Sequence, residues 1–179
     1  MSKIFKIKDF EPKASQSFLI DNNILMYLYS PIASYNEKTQ NSIGRFFSVC
    51  KTLNIDLNIT SHIISEFFHV NLNMYFDLWC KSNPSKISYN LKKDYRPTDD
   101  YKQSVSAINA NIQSFLKLLK RFPDDFHNIN LENIYDHCFH CEFTDAYILE
   151  LSEKNKWIIV SNDNDLINHP NRNTDLIMP

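Results

Sequence analysis

The chain has 179 residues, a formal net charge of −2, 43% hydrophobic and 22% charged residues. This suits one globular domain with a real core and excludes a generally basic nucleic-acid coat, so phosphate binding must be local or metal-assisted. No stretch approaches the roughly 18 consecutive apolar residues of a membrane span, and a single glycine, Gly44, excludes Gly-rich phosphate loops.

The opening "MSKIFKIKDF" has lysines but no apolar h-region, so no secretory signal is expected. A cytoplasmic setting follows, with Cys50, Cys80, Cys138 and Cys141 as reduced thiols. "SFLI" (17–20) reads as a short buried strand ended by Asp21, and "NILMYLY" as a helix stopped by Pro31. "EKTQNSIGRFFSVCKTL" is helical, with Ile43, Phe46, Phe47 and Cys50 at helical spacing. "IDLNIT" (55–60) alternates with period two and predicts a strand. "SHIISEFFHVNLNMYFDLW" predicts a long helix with Ser61 as N-cap.

Residues 82–98 are polar, hold two prolines and show no period, which predicts a loop or mobile insertion. "DDYKQSVSAINANIQSFLKLLKRF" is helical, with "LKLLKR" (116–121) as an amphipathic end. "DFHNIN" is a weak strand candidate and "LENIYDHCF" a short helix. "FTDAYILELSEKN" predicts a helix, "WIIVS" a strand, "DNDLIN" a helical turn and "TDLIM" a last strand. Strands alternating with helices predict a three-layer α/β/α sandwich with a mainly parallel sheet of about five strands. One domain over 1–179 is expected, with a loop or helical insertion around 81–125. The strands 17–20 and 157–161 are apolar on both faces, as suits central parallel strands.

Four carboxylates stand out. Asp21 and Asp163 follow the ends of those two strands, at the edge where open parallel sheets bind ligands. Glu66 lies on or beside the face formed by Ile63, Phe67, Val70 and Met74, and Asp145 points with Ile148 and Leu149. Each alone has a plain reading: Asp21 and Asp163 as helix caps, Asp145 at a helix N-terminus, Glu66 solvated. Together, with no inward lysine or arginine in view, they would repel one another and a divalent cation would remove the conflict. Hard oxygen donors suit Mg²⁺ or Mn²⁺. "HCFHC" (137–141) looks like half a zinc site but lacks a second pair at usable spacing, since Cys50 and Cys80 are isolated. The plainer reading is a helix end with half-buried thiols.

At these residues the chain resembles the PIN-domain nucleases. "IDNNIL" resembles the family's strand-end motif, matching at Asp21 and Asn23 and departing at Asn22, where a hydroxyl residue is usual. "TSHIISEFF" resembles the segment with the inward glutamate, here Glu66. "FTDAYILELSEKNKWIIVSNDNDL" resembles the aspartate helix, the strand and the acidic motif after it, matching at Asp145, Asp163 and Asp165. Ser161 stands where threonine is common and Leu166 where phenylalanine is common. Residues 80–135 carry no family motif.

The resemblance implies metal-dependent hydrolysis of RNA, with Asp21, Glu66, Asp145 and Asp163 as catalytic residues holding Mg²⁺ or Mn²⁺. Asp165 would join as a further metal ligand or cap the turn after it. Asn23 would orient Asp21, while Ser161 and Asn162 would hold the turn through local side-chain hydrogen bonds. Lys92, Lys93 and Arg96, beside Tyr95, are candidate RNA contacts. Many family members are toxins, so the partners expected are RNA, a protein antitoxin and a second copy of the chain. Other readings are a degenerate module that binds RNA or protein without cutting, and a flap-endonuclease-like DNA nuclease. A haloacid-dehalogenase-type phosphatase would need an aspartate pair that "DNN" does not supply.

Overall fold

A computed structural model describes residues 2–32, 36–85 and 87–179. Its strands are β1 (Ile4–Lys6), β2 (Phe18–Ile20), β3 (Leu57–Ile59), β4 (Lys120–Arg121), β5 (Ile158–Val160) and β6 (Leu176–Met178). Its helices are α1 (Asn22–Tyr29), α2 (Glu37–Thr52), α3 (Ser61–Ser82), α4 (Asp99–Phe115), α5 (Leu131–His137), α6 (Phe143–Asn155) and α7 (Asn164–Ile167). The strands form one sheet in the order β1-β6-β5-β2-β3-β4, and every pairing is parallel. Helices cover both faces, giving an α/β/α sandwich of six strands rather than about five.

β2 and β5 lie side by side at the centre, with Phe18 opposite Ile158 and Ile20 opposite Val160. All three β2 residues have no exposure, which explains why this run is apolar throughout rather than alternating. β3 follows the same rule despite its alternating letters. Its polar residue Asn58 is buried and satisfied, donating to the Phe18 carbonyl oxygen and Ser17 Oγ. The connections leave β2, β3 and β5 at their C-terminal ends and run straight into α1, α3 and the turn before α7. The sequence therefore delivers three helix or turn starts to one edge of the sheet.

Several sequence expectations are corrected. Thr60, not Ser61, is the N-cap of α3, and it makes no side-chain capping bond. Ser61 is the first helical residue, and Asp124 accepts hydrogen bonds from its backbone N (3.2 Å) and Oγ (2.6 Å). The helix expected through 122 ends at Phe115; Lys120–Arg121 then pairs with β3 as the edge strand β4. Pairing with β3 wins there because an edge position asks only for backbone groups, not for an apolar face. "DFHNIN" forms a 3₁₀ turn at Phe126–Asn128 instead of a strand. β1 went unanticipated; it lines up beside β6, with Phe5 opposite Ile177. In the 82–98 stretch, residue 86 lies outside the described residues, while Leu91–Tyr95 forms a π-helical turn capped by Asn90. No described helix is long and apolar enough to cross a membrane.

Candidate metal centre

Asp21 leaves β2 and is buried (4% exposed). It caps α1, its Oδ1 accepting from Asn22 N at 2.7 Å. The other oxygen, Oδ2, accepts from Ser161 Oγ (2.5 Å) and from Asn23 Nδ2 (3.3 Å). Ser161 ends β5 and is fully buried. Its Oγ also accepts from Asp163 N at 3.0 Å, so one hydroxyl locks two acid-bearing segments in register. Asn23 spans the same gap, its Nδ2 reaching Asp163 Oδ2 at 3.4 Å.

Glu66 comes from the second turn of α3, half-buried, and its Oε1 accepts from Asn22 Nδ2 at 2.9 Å. Asn22 replaces the hydroxyl residue usual in the resembling motif, and here it bridges α1 to α3. Asp145 sits in the first turn of α6; among the described residues no hydrogen-bond donor reaches its carboxylate. Asp145, Asp163 and Asp165 each offer an oxygen, and these lie within 4.8 Å of one another.

Glu66, Asp145, Asp163 and Asp165 face an open cleft of about 480 Å³, lined also by His62, Ser65, His69, Glu142 and Thr144; the buried Asp21 is not among its lining residues. No lysine or arginine is among these described lining residues. Burial pushes the Asp21 carboxyl up to about 6; Ser161 holds it down and Glu66 and Asp163 add to the rise. Burial, then the charges of Asp163, Asp21 and Glu66, push Asp145 up to about 7. Glu66 is raised as well, by burial against the opposing Asn22 hydrogen bond. Burial is the first cause in all three, and the neighbouring carboxylates add to it.

Asp163 caps α7, its Oδ1 accepting from Asp165 N at 2.8 Å. Asp165 is therefore not the cap; it is exposed and turned toward the acids. Asn162 does not hold the turn locally, because its Nδ2 donates to the Tyr27 hydroxyl at 3.0 Å and ties β5 to α1. Lys92, Lys93 and Arg96 are not brought to the cleft. Their segment packs Tyr95 against Phe76 and Trp79 (ring centroids 5.5 and 5.2 Å), ten or more residues along α3 from Glu66, roughly 15 Å at 1.5 Å per residue. Tyr95 is itself 1% exposed and belongs to that aromatic packing.

Sequence reasoning passed over Asn22, Glu142, Thr144 and Asp124. Asp124 also faces His62 at 3.3 Å, and only the return of the chain through β4 puts it there.

Ser161→Ala tests this framework. It leaves the buried Asp21 carboxylate one donor short, an expected loss of about 1–3 kcal/mol in urea unfolding at pH 7. The loss should shrink at pH 5, where Asp21 holds a proton. Equal stability of variant and parent at both pH values would show that the hydroxyl carries no such role.

The donor set fits a hard divalent cation: clustered carboxylate oxygens, with no lysine or arginine among the described residues that line the cleft. No family model matches the sequence, and none of the curated proteins does. Solved structures are similar in fold. PAE2754 from Pyrobaculum aerophilum is 14% identical over 89% of this chain and 90% of that chain, with a TM-score of 0.48. A chain of VapBC2 from Rickettsia felis, crystallised bound to a DNA fragment from their promoter, is 13% identical over 92% of this chain and 98% of that chain, with a TM-score of 0.52. With its parallel sheet, the β2 and β5 strand ends at one edge and helices on both faces, this chain has the fold of the PIN-domain nucleases.

Proposed function

We propose that this chain is a metal-dependent endoribonuclease of the toxin type, acting as a single domain. The observation that carries the proposal is the acidic cleft: Asp21, Glu66 and Asp163 are tied together by Ser161, Asn22 and Asn23, Asp145 stands beside Asp163 and Asp165, and no lysine or arginine is among the described residues that line it. Asp145, Asp163 and Glu66 would hold Mg²⁺ or Mn²⁺, joined by Asp165 from the exposed rim. Asp21 is too enclosed by its own hydrogen bonds to swing freely and would act from a fixed position. When bound, the ion would lower the pKa of a water and offset charge gathering on the phosphate.

The chain's own residues do the rest. Ser161 and Asn23 keep Asp21 and Asp163 in place, which removes reorganisation from the reaction. Glu66, fixed by Asn22, sets the α3 side of the cleft. His62 and His69 stand at the rim, His62 beside Asp124 and His69 with Nδ1 2.7 Å from the Ser65 carbonyl oxygen. Their imidazole N–H groups can donate to phosphate oxygens at this rim. A protein antitoxin is the expected partner, and the cytoplasm the expected location.

The test is cleavage of a mixed RNA pool with Mn²⁺ or Mg²⁺, beside DNA of the same sequences, in the presence and absence of EDTA. RNA cleavage that EDTA abolishes is the expected result. Binding of RNA with no cleavage by the metal-loaded protein, across a pool that includes cellular RNA, would favour a non-cutting module instead.

A further inference from the structure

A second group of metal-binding side chains lies away from the acidic cleft. His137, at the end of α5, is 7% exposed, and Glu150 (7%) and Glu153 stand one turn apart on α6. A ring nitrogen of His137 and one oxygen of each glutamate lie within 4.8 Å of one another.

Both carboxylates are already aimed. Glu150 accepts from Asn133 Nδ2 at 3.0 Å and Asn130 N at 3.4 Å. Glu153 accepts from Asn173 N at 3.0 Å and Asn173 Nδ2 at 3.5 Å. Among the described residues neither glutamate forms an ion pair with lysine or arginine. An independent observation points the same way: Nδ1 of the buried His137 ring has no hydrogen-bond partner. Buried polar nitrogens are almost always satisfied, and one left alone costs on the order of 1–3 kcal/mol. His137 and Glu153 also line a small cleft of about 200 Å³ with Asn133, Asp136, Asn171 and Asn173.

We infer that His137, Glu150 and Glu153 form a second divalent-metal site, of the zinc class, which staples α5 to α6 and, through Asn173, to the segment leading into β6. One imidazole nitrogen with two carboxylate oxygens is a zinc donor set, with water completing the shell. Metal–ligand distances of about 2.0–2.2 Å require the donors to close in by roughly an ångström, which the half-buried Glu153 side chain can supply. His169 packs edge-on against the His137 ring, centroids 4.8 Å apart. Its Nδ1 accepts from Asn171 N at 3.3 Å, which puts the ring proton on the buried Nε2, so neither nitrogen offers a lone pair to the ion and the ring shapes the wall.

The site also gives "HCFHC" a different meaning from its letters. Cys141 Sγ donates to the His137 carbonyl oxygen at 3.5 Å, and burial followed by the Asp145 charge pushes its thiol up to about 12. The first histidine of the motif is the ligand, and Cys141 stays a thiol.

This inference does not depend on the reading of the acidic cleft, and its test is built to keep the two apart. The full-length Asp163→Asn protein, which weakens the acidic centre, is titrated with Zn²⁺ by calorimetry in excess Mg²⁺. One Zn²⁺ per chain is expected, with a rise of several degrees in Tm. Adding Glu153→Gln should weaken that binding at least about tenfold, the scale of losing a metal-orienting group. Co²⁺ absorption of Asp163→Asn alone provides a readout that needs no second variant. Nitrogen and oxygen ligation gives weak visible bands without a thiolate charge-transfer band. Absence of Zn²⁺ binding in Asp163→Asn, full binding retained in the Glu153→Gln double variant, or a thiolate charge-transfer band would each overturn the site.

Discussion

Asp163→Asn should lose at least about a hundredfold of ribonuclease activity, equivalent to about 2.7 kcal/mol of transition-state stabilisation. The substitution preserves size and leaves an oxygen able to cap α7. It removes one negative charge from the group that Asp145, Asp163 and Asp165 form within 4.8 Å. It can also turn an amide N–H toward Asn23, whose Nδ2 now donates to Asp163 Oδ2 at 3.4 Å, so the local register suffers with the charge. Asp165→Asn should cost less, because Asp165 is exposed and holds nothing else in place. The measurement is initial rate on one cleavable RNA at several Mn²⁺ concentrations. A charge-related loss moves the Mn²⁺ dependence as well as the rate. An Asp163→Asn protein that cuts at the parent rate at every Mn²⁺ concentration would place the chemistry elsewhere.

The second large effect is on stability, and its sign follows from the carboxyl groups. Asp21 is raised from 3.8 to about 6 and Asp145 from 3.8 to about 7. A raised carboxyl means that the folded protein holds a proton that the unfolded chain has released. Below about pH 4 both states are protonated and there is no penalty. As pH rises through the folded values the buried charge must form, so the metal-free protein loses stability between about pH 4 and pH 7. For the fully enclosed Asp21 alone, 6 against 3.8 corresponds to about 3 kcal/mol. Asp145 is partly exposed, so its share is smaller for the size of its shift.

A bound cation reverses this, because it favours the ionised carboxylates and competes with their protons. Mn²⁺ should therefore raise Tm strongly at pH 8 and hardly at all at pH 5. At a hundredfold excess over its dissociation constant the gain is about 2.7 kcal/mol. Asp145→Asn should show the converse: a metal-free protein more stable than the parent at pH 8, with most of the Mn²⁺ gain gone. Thermal melts in EDTA and in Mn²⁺ at the two pH values decide it. An equal Mn²⁺ shift at pH 5 and pH 8 would mean that the ion binds somewhere other than these acids.

The sequence by itself determined the centre of the molecule. β2 and β5 are short apolar runs, the first stopping at Asp21 and the second at Ser161 two residues before Asp163, and runs of that kind have few homes other than a parallel sheet covered on both faces. α2 and α3 carry apolar residues at helical spacing, so their existence and the inward lean of Glu66 could be read locally, whereas α6 is buried without a break from Ala146 to Ser152 and offers no such period. Those signals repeat over many residues, and burial of a whole face depends on them.

Only the tertiary structure decided the rest, because the deciding partner is distant in the chain or the signal is too short. β1 and β4 span three and two residues. They are edges held by backbone hydrogen bonds to neighbours far along the sequence, and they need no apolar pattern. Ser161 meets Asp21 across 140 positions and Asn22 meets Glu66 across 44; no spacing rule in the chain connects them. Asn162 could serve the turn or α1 with the same amide, and the position of Tyr27 chose α1. "HCFHC" offers two thiols and two imidazoles on one turn, and the letters cannot say which face meets α6. The packing of α5 on α6 turned His137 toward Glu150 and Glu153 and left Cys141 on the side of Asp145, and that rotation alone separates a thiol site from a histidine–carboxylate one.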